Sequence, residues 1–158
     1  MLALLSIVLW IVLALLLGVT IVTDLKSRTI PNWLTLMVAL LGVAFCLMSG
    51  LPFWPELSLR LGQAVLVLAG FGFLFSRGLM GGGDVKLIAA LALWFNFSAL
   101  LNFLVLMSLL GGVLSLVYLI LARRTPQEAP IEVPYGVAIA LAGFWMVADH
   151  VKSTTTLL

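Results

Sequence analysis

Charge is what this sequence has least of. Of 158 residues, eight are Lys or Arg and six are Asp or Glu, so charged residues make up 9%, against roughly 25% in a soluble domain. With 64% hydrophobic residues and a mean hydropathy of +1.29, that shortage excludes a soluble globular fold. Cysteine is down to one, Cys46, inside an apolar run. It cannot supply a disulfide framework or a Cys-based zinc site. Histidine is also single, His150, too few ligands for a His-held metalloprotease centre. No Gly-x-Ser-x-Gly turn is present, and a serine protease would have to rely on that one histidine. The basic residues form no stripe, so nucleic acid is not an expected partner. No low-complexity linker and no clear internal repeat interrupts the chain, which reads as one membrane domain over residues 1–158.

What is abundant is long apolar runs, and they predict an all-α, polytopic membrane protein of about six transmembrane helices. The first run is Leu2–Thr23, broken by Asp24-Leu25-Lys26-Ser27-Arg28. It lacks a positive n-region and an A-x-A-like site, so it reads as a retained span rather than a signal peptide. The second, Trp33–Leu47, is opened by Pro31-Asn32, a reasonable helix start. The third is Leu57–Phe75 and the fourth, Val85–Phe97, is short for a full crossing, which requires its start to be shielded by protein. Asn96 and Asn102 bracket an expected turn before the fifth run, which extends to Ala122. A polar loop, Arg123–Val133, leads to the sixth run, Tyr135–Val147, ending near Asp149-His150. That last pair reads as a solvated helix end.

Six spans place alternate loops on opposite sides. One side carries Lys26, Arg28, Arg77, Lys86, Arg123 and Arg124, the other only Arg60 and Lys152. The positive-inside rule then puts both termini away from the cytoplasm, in an inner (cytoplasmic) membrane, and puts Asp24, Asp84 and Pro134-Tyr135-Gly136 at the cytoplasmic face. The lysines and arginines there read as ordinary anchoring, with some attraction to anionic lipid.

The stretch Gly81-Gly82-Gly83-Asp84-Val85-Lys86 organises the rest. A carboxylate at the edge of a hydrocarbon layer is costly to keep, and Asp24 is its one counterpart. Two carboxylates held close share a proton. The ionised one can act as a base on water while the protonated one polarises a carbonyl, which is peptide hydrolysis. Plainer readings stand beside this: Asp84 as a helix N-cap, the glycines as a flexible loop, Lys86 as an anchor. The functional reading gives Gly81, Gly82 and Gly83 a bare backbone on which an extended substrate pairs. It has Lys86 tune Asp84 or bind a substrate carboxylate. Ile30-Pro31-Asn32 and Pro134-Tyr135-Gly136 each join a proline constraint to a helix start.

These blocks resemble a known family, the type IV prepilin peptidases, membrane aspartic proteases of the Gly-x-Gly-Asp class. The similarity rests on Asp24 followed by Ile30-Pro31-Asn32, on Gly81-Gly82-Gly83-Asp84-Val85-Lys86, and on Pro134-Tyr135-Gly136, in that order. The resemblance implies that Asp24 and Asp84 are catalytic, that no metal or cofactor is needed, and that the substrate is a prepilin-like precursor. It also implies that the precursor's leader is removed at the cytoplasmic edge of its hydrophobic helix, and that Pro134, Tyr135 and Gly136 belong to the substrate site. Large bifunctional members also carry a cytoplasmic segment with zinc-binding cysteine pairs and N-methylate the new terminus. With nothing before the first span and Cys46 alone, the chain is more similar to the short peptidases of tight-adherence (Flp-type) pilus systems, and N-methyl transfer is not expected. An archaeal preflagellin peptidase stays open as a relative. Two other classes also stay open: a small transporter or channel subunit passing protons or cations by Asp24 and Asp84, and a purely structural assembly subunit. The transporter would place its carboxylates nearer the bilayer middle and show internal pseudo-symmetry.

Overall fold

The computed structural model describes residues 2–50, 52–124 and 133–155. Among them there are six α-helices and no strand: α1 Leu2–Ser27, α2 Asn32–Met48, α3 Ser58–Ser76, α4 Gly82–Ala92, α5 Phe97–Arg124 and α6 Tyr135–Thr155, with a π-helical turn, Phe53–Leu57, leading into α3. Three stretches are long and apolar enough to cross a membrane, Leu5–Ser27, Trp54–Ser76 and Phe97–Leu121; Asn32–Met48 is a shorter apolar helix. The chain is an all-α membrane protein.

Four boundaries differ from the sequence reading. Helix α1 does not stop at Thr23 but carries Asp24 inside its last turn, because nothing in Asp24–Ser27 breaks a helix and the Thr23 and Ser27 hydroxyls bond back to carbonyls of the preceding turn. Helix α4 begins within the glycine run, so Gly82 and Gly83 are helical and only Gly81 is extended (φ −70°, ψ 141°). Asn102 lies inside α5, and the turn belongs to Asn96 alone, whose Oδ1 accepts the Ala99 N–H at 2.8 Å as an N-cap. Helix α6 continues through Asp149 and His150 to Thr155. The expected loop after Arg124 falls at 125–132, outside the described residues.

Helix α4 is the hub. It packs on α2, α3 and α6, while α1 packs on α2 and α6, and α5 on α6. Leu87–Ala92 of α4 and Leu93–Phe95 just after it are all buried, which supplies the shielding that its shortness demands. By contrast α1, α3 and α5 expose large apolar side chains such as Leu15, Leu66 and Leu109. In lipid such exposure costs nothing, and burial against tails gains little, so close packing and polar satisfaction must hold the helices together. Close packing shows at the glycines: an added Cβ on Gly42 would lie 2.9 Å from the Trp94 indole nitrogen, and one on Gly143 2.8 Å from Leu17. Trp10 and Trp94, rather than anchoring at an interface, are buried in this core.

Polar satisfaction shows at the C-terminal end of α4, where a helix stopping inside the bundle leaves open carbonyls. Gln63 Nε2 donates to the carbonyls of Ala92 (2.7 Å) and Phe95 (2.6 Å). Arg60 Nη1 donates to those of Trp94 (2.9 Å) and Leu93 (3.3 Å), and Cys46 Sγ also donates to Leu93. The single arginine on that side of the charge count is therefore a cap, placed where a cation suits the negative end of a helix dipole.

Candidate active site

Asp24 is buried in the last turn of α1 and Asp84 half-buried in the first turn of α4. Sixty positions apart in sequence, they line one cavity of about 510 Å³, together with Arg28, Met80, Gly81 and Tyr135. The wedge that sets this geometry is Ile30. Its backbone and Cβ lie 3.0–3.4 Å from where a Gly83 Cβ would be, and its Cδ1 lies 3.0 Å from where a Gly136 Cβ would be. The starts of α4 and α6 thus close on the same residue, one from each side. Pro31, extended at φ −62° and ψ 141°, turns the chain straight into α2 behind it.

Each carboxylate is seated on a glycine. Asp24 Oδ2 lies 2.8 Å from the position of a Gly136 Cβ, and Asp84 Oδ2 lies 2.8 Å from that of a Gly81 Cβ. Any larger residue would push the carboxylate away. Asp24 Oδ2 also accepts the Val137 N–H at 3.1 Å, from the first turn of α6. Asp84 is not the N-cap, which is Gly81; it is the third helical residue and reaches back to the Gly81 N–H. Burial first, and the neighbouring Asp24 carboxylate second, push the Asp84 carboxyl up to about 7, against the Gly81 N–H that favours its ionised form. A carboxyl that still holds a proton near neutrality beside a second carboxyl is the equipment of acid–base chemistry on water.

The remaining expected site residues divide. Gly81 and Tyr135 line the cavity, and Gly136 forms the floor under Asp24. Pro134 is fully buried ahead of α6, and its carbonyl accepts the Val137 N–H at 3.3 Å. Gly82 and Gly83 are placed for packing, against Phe75 and Ile30, and as helical residues they offer no extended edge to a substrate. Lys86 does not join the carboxylates. Its Nζ donates to Asn32 Oδ1 at 2.9 Å, beside a separate apolar groove between α2, α3 and α4.

Arg28 is the residue that sequence reasoning passes over. It closes α1, its N–H bonding to the Asp24 carbonyl at 3.0 Å, in the left-handed region at φ 53°, where a non-glycine residue is strained. Its guanidinium lies 5.3 Å from the Tyr118 ring centre, and Nη2 donates to the Tyr118 hydroxyl at 3.3 Å. Nη1 is buried with no acceptor among the described residues. Basic residues beside a span read as anchors, and no spacing signals a positive φ, so only coordinates place this cation in the cavity.

A family model described as the type IV leader peptidase family matches residues 11–116. The chain belongs to this family. The match takes in Asp24 and Asp84 and stops short of Pro134. Among relatives of this leader peptidase family, the prepilin leader peptidase/N-methyltransferase of Aeromonas hydrophila is 36% identical over 132 residues, covering 77% of this chain and 42% of the relative. Proteins of the same name from Xanthomonas campestris pv. campestris and Neisseria gonorrhoeae are 35% and 32% identical over 130 residues, each covering 78% of this chain. The chain spans less than half the length of these relatives, 43% and 42% for the last two. No solved structure matches it.

Proposed function

We propose that this chain is a membrane aspartic endopeptidase that removes the leader of type IV prepilins, Flp-like ones in particular, at the cytoplasmic face of the inner membrane. The observation that carries the reading is the shared cavity: in a member of the leader peptidase family, the two carboxylates from α1 and α4 line one space. With one proton between them, the ionised carboxylate takes a proton from water as the water oxygen attacks the scissile carbonyl. The protonated one, Asp84 below about 7, donates to the carbonyl oxygen. The gem-diol then collapses: the C–N bond breaks as its nitrogen takes the proton held by the first carboxylate, one diol hydroxyl returns its proton to Asp84 as the new carboxyl forms, and the pair again holds one proton. No cofactor enters this scheme. Gly136 and Gly81 set the carboxylates at their distance, and Tyr135 and Met80 wall the space in which the peptide lies. Passage of protons or cations has less to recommend it, because both carboxylates sit at helix ends and not midway along a span.

The test is co-expression with tagged prepilin-like precursors, comparing wild type with Asp24→Asn and Asp84→Asn. Cleavage by the wild type alone is expected, with losses of about 1,000-fold or more in the variants. The mass of the new N-terminus should show no added methyl group. Wild-type turnover in either variant would remove that aspartate from the chemistry.

A further inference from the structure

A second cavity, of about 260 Å³, lies at the other end of the bundle. It is lined by Trp10, Arg60, Asn96, Asp149, His150 and Ser153, among others. Trp10 is 14 residues before Asp24 on α1, about 21 Å along the axis, so this space is no part of the carboxylate site. The sequence reading of Asp149-His150 as a solvated helix end holds for Asp149, which is exposed, but not for His150, whose ring stacks on Trp10 with centroids 4.2 Å apart.

Three features show that the cavity is built for something polar. The Trp10 side chain is 3% exposed, yet its indole N–H has no acceptor among the described residues, and leaving such a donor buried and unmade is costly. Arg60 is fixed by Nη1 on the α4 carbonyls, and a guanidinium has further donors to offer beyond that nitrogen. Asp149 stands on the same cavity, and among the described residues no ion pair joins it to Arg60. Opposite charges that share a small cavity without pairing leave room for a ligand carrying both charges in the opposite sense.

We infer that this cavity holds the headgroup of a zwitterionic phospholipid, its phosphate at Arg60 and the Trp10 N–H and its ammonium at Asp149. An ethanolamine headgroup has both ends. A lipid is the fitting source because the cavity opens at the end of helices whose outer faces are apolar, and an acyl chain can lie along them while the head is inside.

The test uses the full chain, purified in detergent and read by native mass spectrometry after exposure to equal amounts of phosphatidylethanolamine and phosphatidylglycerol. The ethanolamine lipid should be retained about fivefold or more over the glycerol lipid. Asp149→Asn, at an exposed position and so harmless to folding, should abolish that preference. Trp10→Phe keeps the ring and removes the donor, and should weaken retention of both lipids. Arg60 is left intact because it caps α4. Equal retention by the wild type, or an unchanged preference in Asp149→Asn, would overturn the site. Glycerophosphoethanolamine should displace the adduct only in large excess; displacement at equal concentration would overturn the lipid as its occupant.

Discussion

At the scale of single residues, strain and charge at the cavity separate stability from activity. Arg28 holds a left-handed backbone that glycine adopts freely, at a cost on the order of 1 kcal/mol. Arg28→Gly is therefore expected to melt no lower than the wild type, while precursor cleavage falls at least about tenfold through loss of the guanidinium. A drop in both would show that Arg28 only holds the fold. Asp84 gives a second separation. Its carboxyl stands at about 7 when folded against an ordinary 3.8, so the folded state binds the extra proton. Stability contributed by that protonation is complete below about 4 and is lost as pH rises towards 7. Asp84→Asn removes the liability and should raise stability at pH 8 by roughly 2 kcal/mol, measured by thermal melting in detergent at several pH values. The wild type should also lose cleavage above about 7, where Asp84 gives up its proton. Both aspartates were legible because carboxylates are so scarce in this sequence. The glycine seats and the Ile30 wedge were not, since they depend on which helix starts meet.

At the scale of elements, the apolar runs foretell the helices to within a few residues except where polar residues interrupt. Asp24, Gly82 and Asp149 read as breaks, yet all three lie inside helices. Polar side chains end a helix only if the backbone finds better partners elsewhere, and hydroxyls such as Ser27 Oγ bonding back along α1 take that incentive away. The end of α3 is a case where reading succeeds, the run closing at Phe75 and the helix at Ser76: Gly78 at φ 70° passes its own N–H to Phe75 and the Leu79 N–H to Leu74, the six-residue closure that glycine favours. The C-terminal caps of α4 were illegible, since Cys46, Arg60 and Gln63 come from other helices. Gln63→Leu would leave the Ala92 and Phe95 carbonyls without this donor. It should destabilise the protein by roughly 2–4 kcal/mol, seen as faster proteolysis of the α3–α4 region, and little change there would mean that water replaces the amide.

For the whole molecule, the charge count predicts a sidedness that labelling can check. In a Cys46→Ser background, which keeps a donor for the Leu93 carbonyl, cysteines placed at Trp54 and Leu79 occupy exposed positions at opposite ends of α3. An impermeant thiol reagent should modify Trp54→Cys in intact cells and Leu79→Cys only after permeabilisation. The reverse pattern would turn the carboxylate cavity to the other face. A last consequence concerns biogenesis. Helix α4 has 11 residues, about 16 Å, roughly half of a hydrocarbon core. Released from the insertion machinery by itself, it would carry Asp84, Lys86 and uncapped carbonyls into lipid. Its partners on α3 are made just before it, so the two must leave as a preassembled hairpin. Slowing synthesis of the ten residues between Arg60 and Phe71 with rare codons should have no effect, whereas moving α3 after α4 in a permuted gene should strand the short helix outside the membrane.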